Sequence, residues 1–107
     1  MLTSVKRQLT LYNVKVGRFS HKGLRQFYEA GLTKGPPADA LPKLRVMFAI
    51  LDRMKDVEEL KAWPLWNVHT LTGNRKGTMS LHVKRNGRLT FRVESNEIVD
   101  VNLEDYH

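Results

Sequence analysis

The sequence predicts an α+β fold in which two N-terminal helices cover one face of an antiparallel, mostly meandering sheet. Three observations carry this. Apolar residues fall at helical spacing through the first half of the chain, the period changes to two after Pro64, and turn-forming Gly, Pro and Asn residues separate the runs.

Residues 11–19 (LYNVKVGRF) alternate and are expected to form the first strand. In SHKGLRQFYEAG, Leu24, Phe27 and Tyr28 share one helical face and Gly31 supplies a stop. The GPP at residues 35–37 breaks the chain, after which Asp39 is placed to cap a second helix that tolerates Pro42 in its first turn. Leu41, Leu44, Met47, Phe48, Leu51 and Met54 form the apolar stripe of that helix, with Lys43, Arg45, Asp52 and Arg53 on the other side. DVEELKAWP reads as a short helical turn ended by Pro64. Strands are expected at residues 66–71, 78–84, 88–94 and 98–103.

Side-chain parity fixes an expected register. A three-residue loop of Arg85, Asn86 and left-handed Gly87 pairs Val83 with Leu89 and keeps both inside, whereas a two-residue Asn86–Gly87 loop would expose one partner. The next hairpin then pairs Val93 with Val99 and Phe91 with Val101. On the outer face Lys84 comes opposite Arg88, Arg88 opposite Glu104, Ser80, Arg92 and Asp100 form a second row, and His69 faces Ser80.

At 107 residues with 41% hydrophobic content, the chain is one domain with one core. It has no cysteine, no apolar run near membrane length and no secretory signal pattern, so a cytoplasmic location is expected. The formal charge is +7 and the pI about 10, which points to an anionic partner such as nucleic acid. Residues 65–93 hold six Lys/Arg and no acid, while four of the eleven acids follow Ser95. Parity brings these two stretches together on one face.

The four histidines show no zinc-binding spacing, and neither a phosphate-binding glycine loop nor a serine-hydrolase elbow is present. No cofactor is expected. What remains is acid, base and cation, the set that RNA cleavage without a metal requires. The ribose 2′-OH already lies beside the scissile phosphorus, so the protein must align it, move two protons and stabilise the charge on phosphorus. Histidine, with an unperturbed pKa of ~6.5, suits proton transfer, and arginine suits charge stabilisation. Each residue also has a structural use: His21 in a helix first turn, His82 as a plain strand residue, Trp63 and Trp66 as packing, and Arg88 and Arg92 as partners of Glu104 and Asp100.

FSHKGLRQFYEAG, HTLTGNRKG, RLTFR and VNLEDYH, in that order, resemble the HigB family of RelE-like toxins, the plasmid-maintenance killer proteins of type II toxin–antitoxin systems. The resemblance covers residues 14–107 as a single toxin domain and leaves residues 1–13 as an N-terminal extension, either native or the product of a start assigned upstream. It implies the RelE-like fold and an endoribonuclease that cuts mRNA in the ribosomal A site. It further implies a helix-turn-helix antitoxin similar to HigA, and operator DNA bound through the toxin–antitoxin complex.

By position, the resemblance implies catalytic roles for His69, Arg88, Asp105, Tyr106 and His107. Arg75, Lys76, Lys84, Arg85 and Arg92 are the expected RNA- and phosphate-binding residues. One departure stands out. Where many relatives read HPLKGD, this chain reads HTLTGN, so Thr72 occupies a lysine position, and loss of one such electrostatic contact can cost ~3 kcal/mol. The alternative reading is a non-catalytic basic module on the same fold, binding nucleic acid or protein, for example a weakened toxin or a gyrase-directed relative.

Overall fold

The computed structural model describes residues 13–105, so Leu11 and Tyr12 of the expected first strand, and Tyr106 and His107, lie outside the described residues. In chain order the elements are β1 (Lys15–Val16), α1 (Lys22–Ala30), α2 (Leu41–Leu51), β2 (His69–Thr70), β3 (Met79–Lys84), β4 (Gly87–Glu94) and β5 (Glu97–Asp105), joined in part by short 3-10 turns. The five strands form one sheet in the order β1-β5-β4-β3-β2. The last four form the expected antiparallel meander. β1 departs from it by pairing parallel to β5, Lys15 with Glu97 and Val16 with Ile98.

α1 begins where the His21 imidazole accepts the Leu24 N–H at 2.9 Å, and it ends at Gly31, whose φ of 71° lets its N–H reach the carbonyl of Phe27. Leu24 and Phe27 are buried, and Phe27, Tyr28 and Phe19 gather around Phe48 of α2. On α2, Leu44, Met47, Phe48 and Leu51 are buried as the stripe requires, each such burial contributing ~1.5–3 kcal/mol. The expected cap is corrected: Asp39 lies in a 3-10 turn (Ala38–Ala40), Ala40 occupies the cap position without a side-chain bond, and the Asp39 carboxylate pairs with Lys84 instead.

DVEELKA forms a 3-10 helix (Val57–Ala62) closed at its start by a reciprocal cap, in which Asp56 accepts from Glu58 N–H at 2.9 Å and Glu59 accepts from Asp56 N–H at 3.0 Å. The strand expected at residues 66–71 is shorter. Pro64 starts a second 3-10 turn, Pro64–Trp66, that buries Trp66 against Trp63, and only His69 and Thr70 join the sheet. Proline is well suited to the first position of such a turn, which is why the helical trace continues past it.

Two bulges reset the expected register. In β3–β4, Leu81 pairs with Leu89, His82 with Arg88 and Lys84 with Gly87, so Val83 is the extra residue. The loop is Arg85–Asn86 with Asn86 at φ 64°, not a three-residue loop with left-handed Gly87. Asparagine tolerates that conformation, and the shift of two residues keeps Leu81, Val83 and Leu89 buried, as parity demands. In β4–β5, Arg88 pairs with Glu104 and Thr90 with Asn102 as expected, but then Arg92 pairs with Val99 and Val93 with Ile98. Asp100, at φ 53°, lies in the bulge, and the turn between the strands is Ser95–Asn96 with both φ positive.

The helices pack on the face carrying Leu81, Leu89, Phe91 and Val101. Ser80 and Thr90 point the other way by alternation, yet each is only 1% exposed, because charged side chains lie across them. Among the described residues no helix is long and apolar enough to cross a membrane.

Candidate active site on the outer face of the sheet

Arg88 leads the outer face. Its Nε donates to the Ser80 hydroxyl, and its Nη2 donates to the Asn67 carbonyl at 2.8 Å and the Ser80 carbonyl at 3.2 Å. Asn67 can present that carbonyl because it turns the chain at φ 45° just before β2. These bonds draw the guanidinium toward the row where His69 pairs with Ser80, the pairing that parity anticipated. His69 is exposed there, so an imidazole and a fixed guanidinium share one surface.

Glu104 stands opposite Arg88 in the ladder, as expected, but its ion pair is with Arg75. Arg75 Nη1 donates to Oε1 at 2.9 Å and Nη2 donates to Oε2, while the Thr90 hydroxyl also donates to the carboxylate. The Arg75 bond holds the Glu104 carboxyl below the usual range, against burial and with help from Thr90. Arg75 ends a 3-10 turn (Gly73–Arg75) that Thr72 precedes without a side-chain cap.

Lys84 lies apart from this patch, opposite Gly87 and not opposite Arg88 as parity predicts. The Val83 bulge turns it to the helix side, where its Nζ lies 2.8 Å from Asp39 Oδ2 and holds the Asp39 carboxyl below its usual range, chiefly by that hydrogen bond. There it lines a cleft of about 290 Å³ with His21, Gly35, Pro37, Leu103 and Asp105. Asp105, the last residue of β5, is exposed opposite Gly87 and lines this cleft together with Glu104, the ladder partner of Arg88. Tyr106 and His107 follow directly from Asp105, outside the described residues.

Lys76 and Arg85 are exposed on turns flanking β3, and Arg92, in the second outer row, faces Asp100 at 3.4 Å and Glu94 at 3.6 Å. The sequence reading passed over His82, the ladder partner of Arg88, because an incorrect register had given that place to Lys84. Burial pushes the His82 imidazole toward its neutral form, with Lys43 and Arg88 adding to the effect. His21 takes the helix first-turn place the sequence predicts, and its ring also lines the cleft beside Asp105.

Residues 17–107 match the family described as the RelE-like toxin of the type II toxin–antitoxin system HigB. The endoribonuclease HigB of Proteus vulgaris is 34% identical over 89 residues, covering 83% of this chain and 96% of that protein. Two solved YoeB–YefM complexes from Staphylococcus aureus, one a heterotetrameric toxin–antitoxin assembly, show the same fold. They have TM-scores of 0.50 and 0.51 at 15% and 18% identity, over 87% of this chain and 98% of theirs. The fold, the order of the motifs and the matched span agree: the chain belongs to the HigB-like family of RelE-like toxins of type II toxin–antitoxin systems.

Proposed function

We propose that the protein is the toxin of a type II toxin–antitoxin pair and an endoribonuclease that cuts mRNA in the ribosomal A site by acid–base catalysis. In the reaction a base removes the 2′-OH proton and the 2′ oxygen bonds to phosphorus. The bond from phosphorus to the 5′ oxygen breaks as an acid protonates that oxygen, leaving a 2′,3′-cyclic phosphate and a 5′-hydroxyl.

Arg88 stabilises the charge that gathers on phosphorus. Its donors are fixed in advance by Asn67 and Ser80, so little reorganisation is needed at the moment of reaction. That fixed guanidinium beside exposed His69 is the observation that carries the reading. His69 and His107 share proton transfer with Tyr106, Asp105 orients the tail, and Arg75, Lys76, Arg85 and Arg92 hold flanking phosphates. Residues 14–107 form the toxin domain. A helix-turn-helix antitoxin of the HigA kind neutralises it in the cytoplasm, and the pair binds its own operator.

Mapping transcript 5′ ends after brief induction tests this. The expected result is in-frame cuts confined to translated regions and absent with Arg88→Ala. Growth arrest with intact message would refute it.

A further inference from the structure

We infer that a small pocket on the outer face, lined by Thr78, Asp100 and Asn102, takes one unpaired nucleobase of the bound message and so sets which bases flank the cut. The inference rests on the nuclease reading above and adds a specificity site to it.

The pocket lies on a polar row that the register builds across the sheet. His69 pairs with Ser80, Ser80 with Thr90 and Thr90 with Asn102, so β2, β3, β4 and β5 each contribute one outward residue. Ser20 extends the row past β5, where its N–H and its hydroxyl both donate to the Val101 carbonyl. Arg88 Nε is held at Ser80, and Thr90 is the next outward residue of β4, ~6.6 Å along the strand from Arg88. Between Ser20, Asn102 and Thr90 on this row and Thr78, Arg92 and Asp100 beside it lies a cavity of about 160 Å³. At about 30 Å³ per water the space equals about five waters, the scale of a single heterocycle.

The lining suits an uncharged ligand that both donates and accepts. Two arginines and two carboxylates line the cavity, and they are already matched, Arg75 with Glu104 and Arg92 with Asp100. Formal charge cancels at the walls, and a phosphate would meet two carboxylates there. The groups left for a ligand are smaller. Thr78 is only 8% exposed, and its hydroxyl has no hydrogen-bond partner among the described residues. No side-chain oxygen of the described residues is sealed from solvent without a partner, so this hydroxyl opens into the cavity that Thr78 lines. Asn102 Oδ1 accepts the Leu103 N–H at 2.9 Å, which leaves the two donors of Nδ2. Asp100 reaches the pocket from the β5 bulge, with Oδ2 at 3.4 Å from Arg92 and Oδ1 available to accept.

Amide donors, a carboxylate acceptor and a hydroxyl that can serve as either match the edge of a nucleobase, where ring nitrogens or carbonyls alternate with N–H groups. Only single-stranded RNA exposes those edges, and proteins read its sequence from such splayed bases. A base of the wrong pattern would strip water from these groups without replacing it, and that penalty produces the discrimination.

Cleavage of message on programmed ribosomes by the purified full-length protein tests the inference, with messages that differ in one base at each position flanking the cut. Wild type should rank the four bases at one of these positions by kcat/KM. Asn102→Ala should reduce the ratio of best to worst base there by roughly tenfold. Thr78→Val, which keeps the shape and removes the hydroxyl, should lower the ratio at the same position, and it covers the case in which Asn102→Ala folds poorly. If wild type cuts no message, the nuclease reading falls and this inference with it. If wild type cuts, and both variants leave the ranking intact or slow all four messages equally, the nuclease reading stands and the inference is overturned.

Discussion

Arg88 on β4 and Asn67 in the turn before β2 are joined by a guanidinium-to-carbonyl hydrogen bond of 2.8 Å that passes over β3. The same guanidinium donates to both the hydroxyl and the carbonyl of Ser80, so three acceptors fix its plane. Lysine has a point charge on a flexible stem and cannot reproduce that fork. Arg88→Lys is therefore expected to reduce cleavage by a factor on the order of 10² while keeping the fold. Reaction rate and melting temperature, measured together, check it.

Lys84 and Arg85 are adjacent in sequence but are predicted to differ in their effect on RNA binding. Arg85 is exposed in the hairpin turn, whereas Lys84 faces Asp39 on the helix side. Arg85→Ala should reduce the salt slope of binding to a single strand by about 0.7, the value of one phosphate contact. Lys84→Ala should leave that slope unchanged. Equal reductions would place Lys84 on the RNA.

Acid should weaken the fold through Glu104. Its carboxyl lies below the ordinary value of 4.5, chiefly because of the Arg75 hydrogen bond. A depressed carboxyl stabilises the folded state above its unfolded pKa and loses that contribution as pH falls through the folded value. Urea midpoints of wild type and Glu104→Gln should thus differ from pH 7 down to about pH 4.5 and converge below it. A difference that persists undiminished well below pH 4.5 would contradict the assignment.

Gly23 and Gly35 meet backbone to backbone where α1 begins. A Cβ added at Gly35 would lie 2.3 Å from the Gly23 Cα, and neither chain segment can yield cheaply. Gly35→Ala should cost about 1–3 kcal/mol, read as a lower melting temperature. Gly87→Ala should cost less, because its new methyl would meet the Lys84 Cγ, part of a flexible stem, at 2.6 Å. Reversal of that order would contradict the packing.

Much of this fold is legible in the sequence because faces obey parity. His69 opposite Ser80, Arg88 opposite Glu104 and the buried stripe of α2 all follow from which side chains must avoid water. Bulges are invisible to that logic. Val83 and Asp100 each add a residue without exposing an apolar one, so two registers satisfy the pattern equally. That is how Lys84 was assigned to the wrong face and His82 lost its place beside Arg88. Long-range polar choices were also hidden. Nothing local distinguishes Arg75 from Arg88 as the partner of Glu104, or shows that Asp39 leaves the cap of α2 for Lys84.

The chemistry of the cut ends decides whether the 2′ oxygen is the nucleophile. Attack by the 2′ oxygen, with protons moved by side chains and charge held by Arg88, leaves a 2′,3′-cyclic phosphate on one fragment and a 5′-hydroxyl on the other. The account predicts that message cleaved by the wild-type protein carries those ends, and that Arg88→Ala forms them at least on the order of 10²-fold more slowly. Fragments bearing a 5′-phosphate and a 3′-hydroxyl would contradict it.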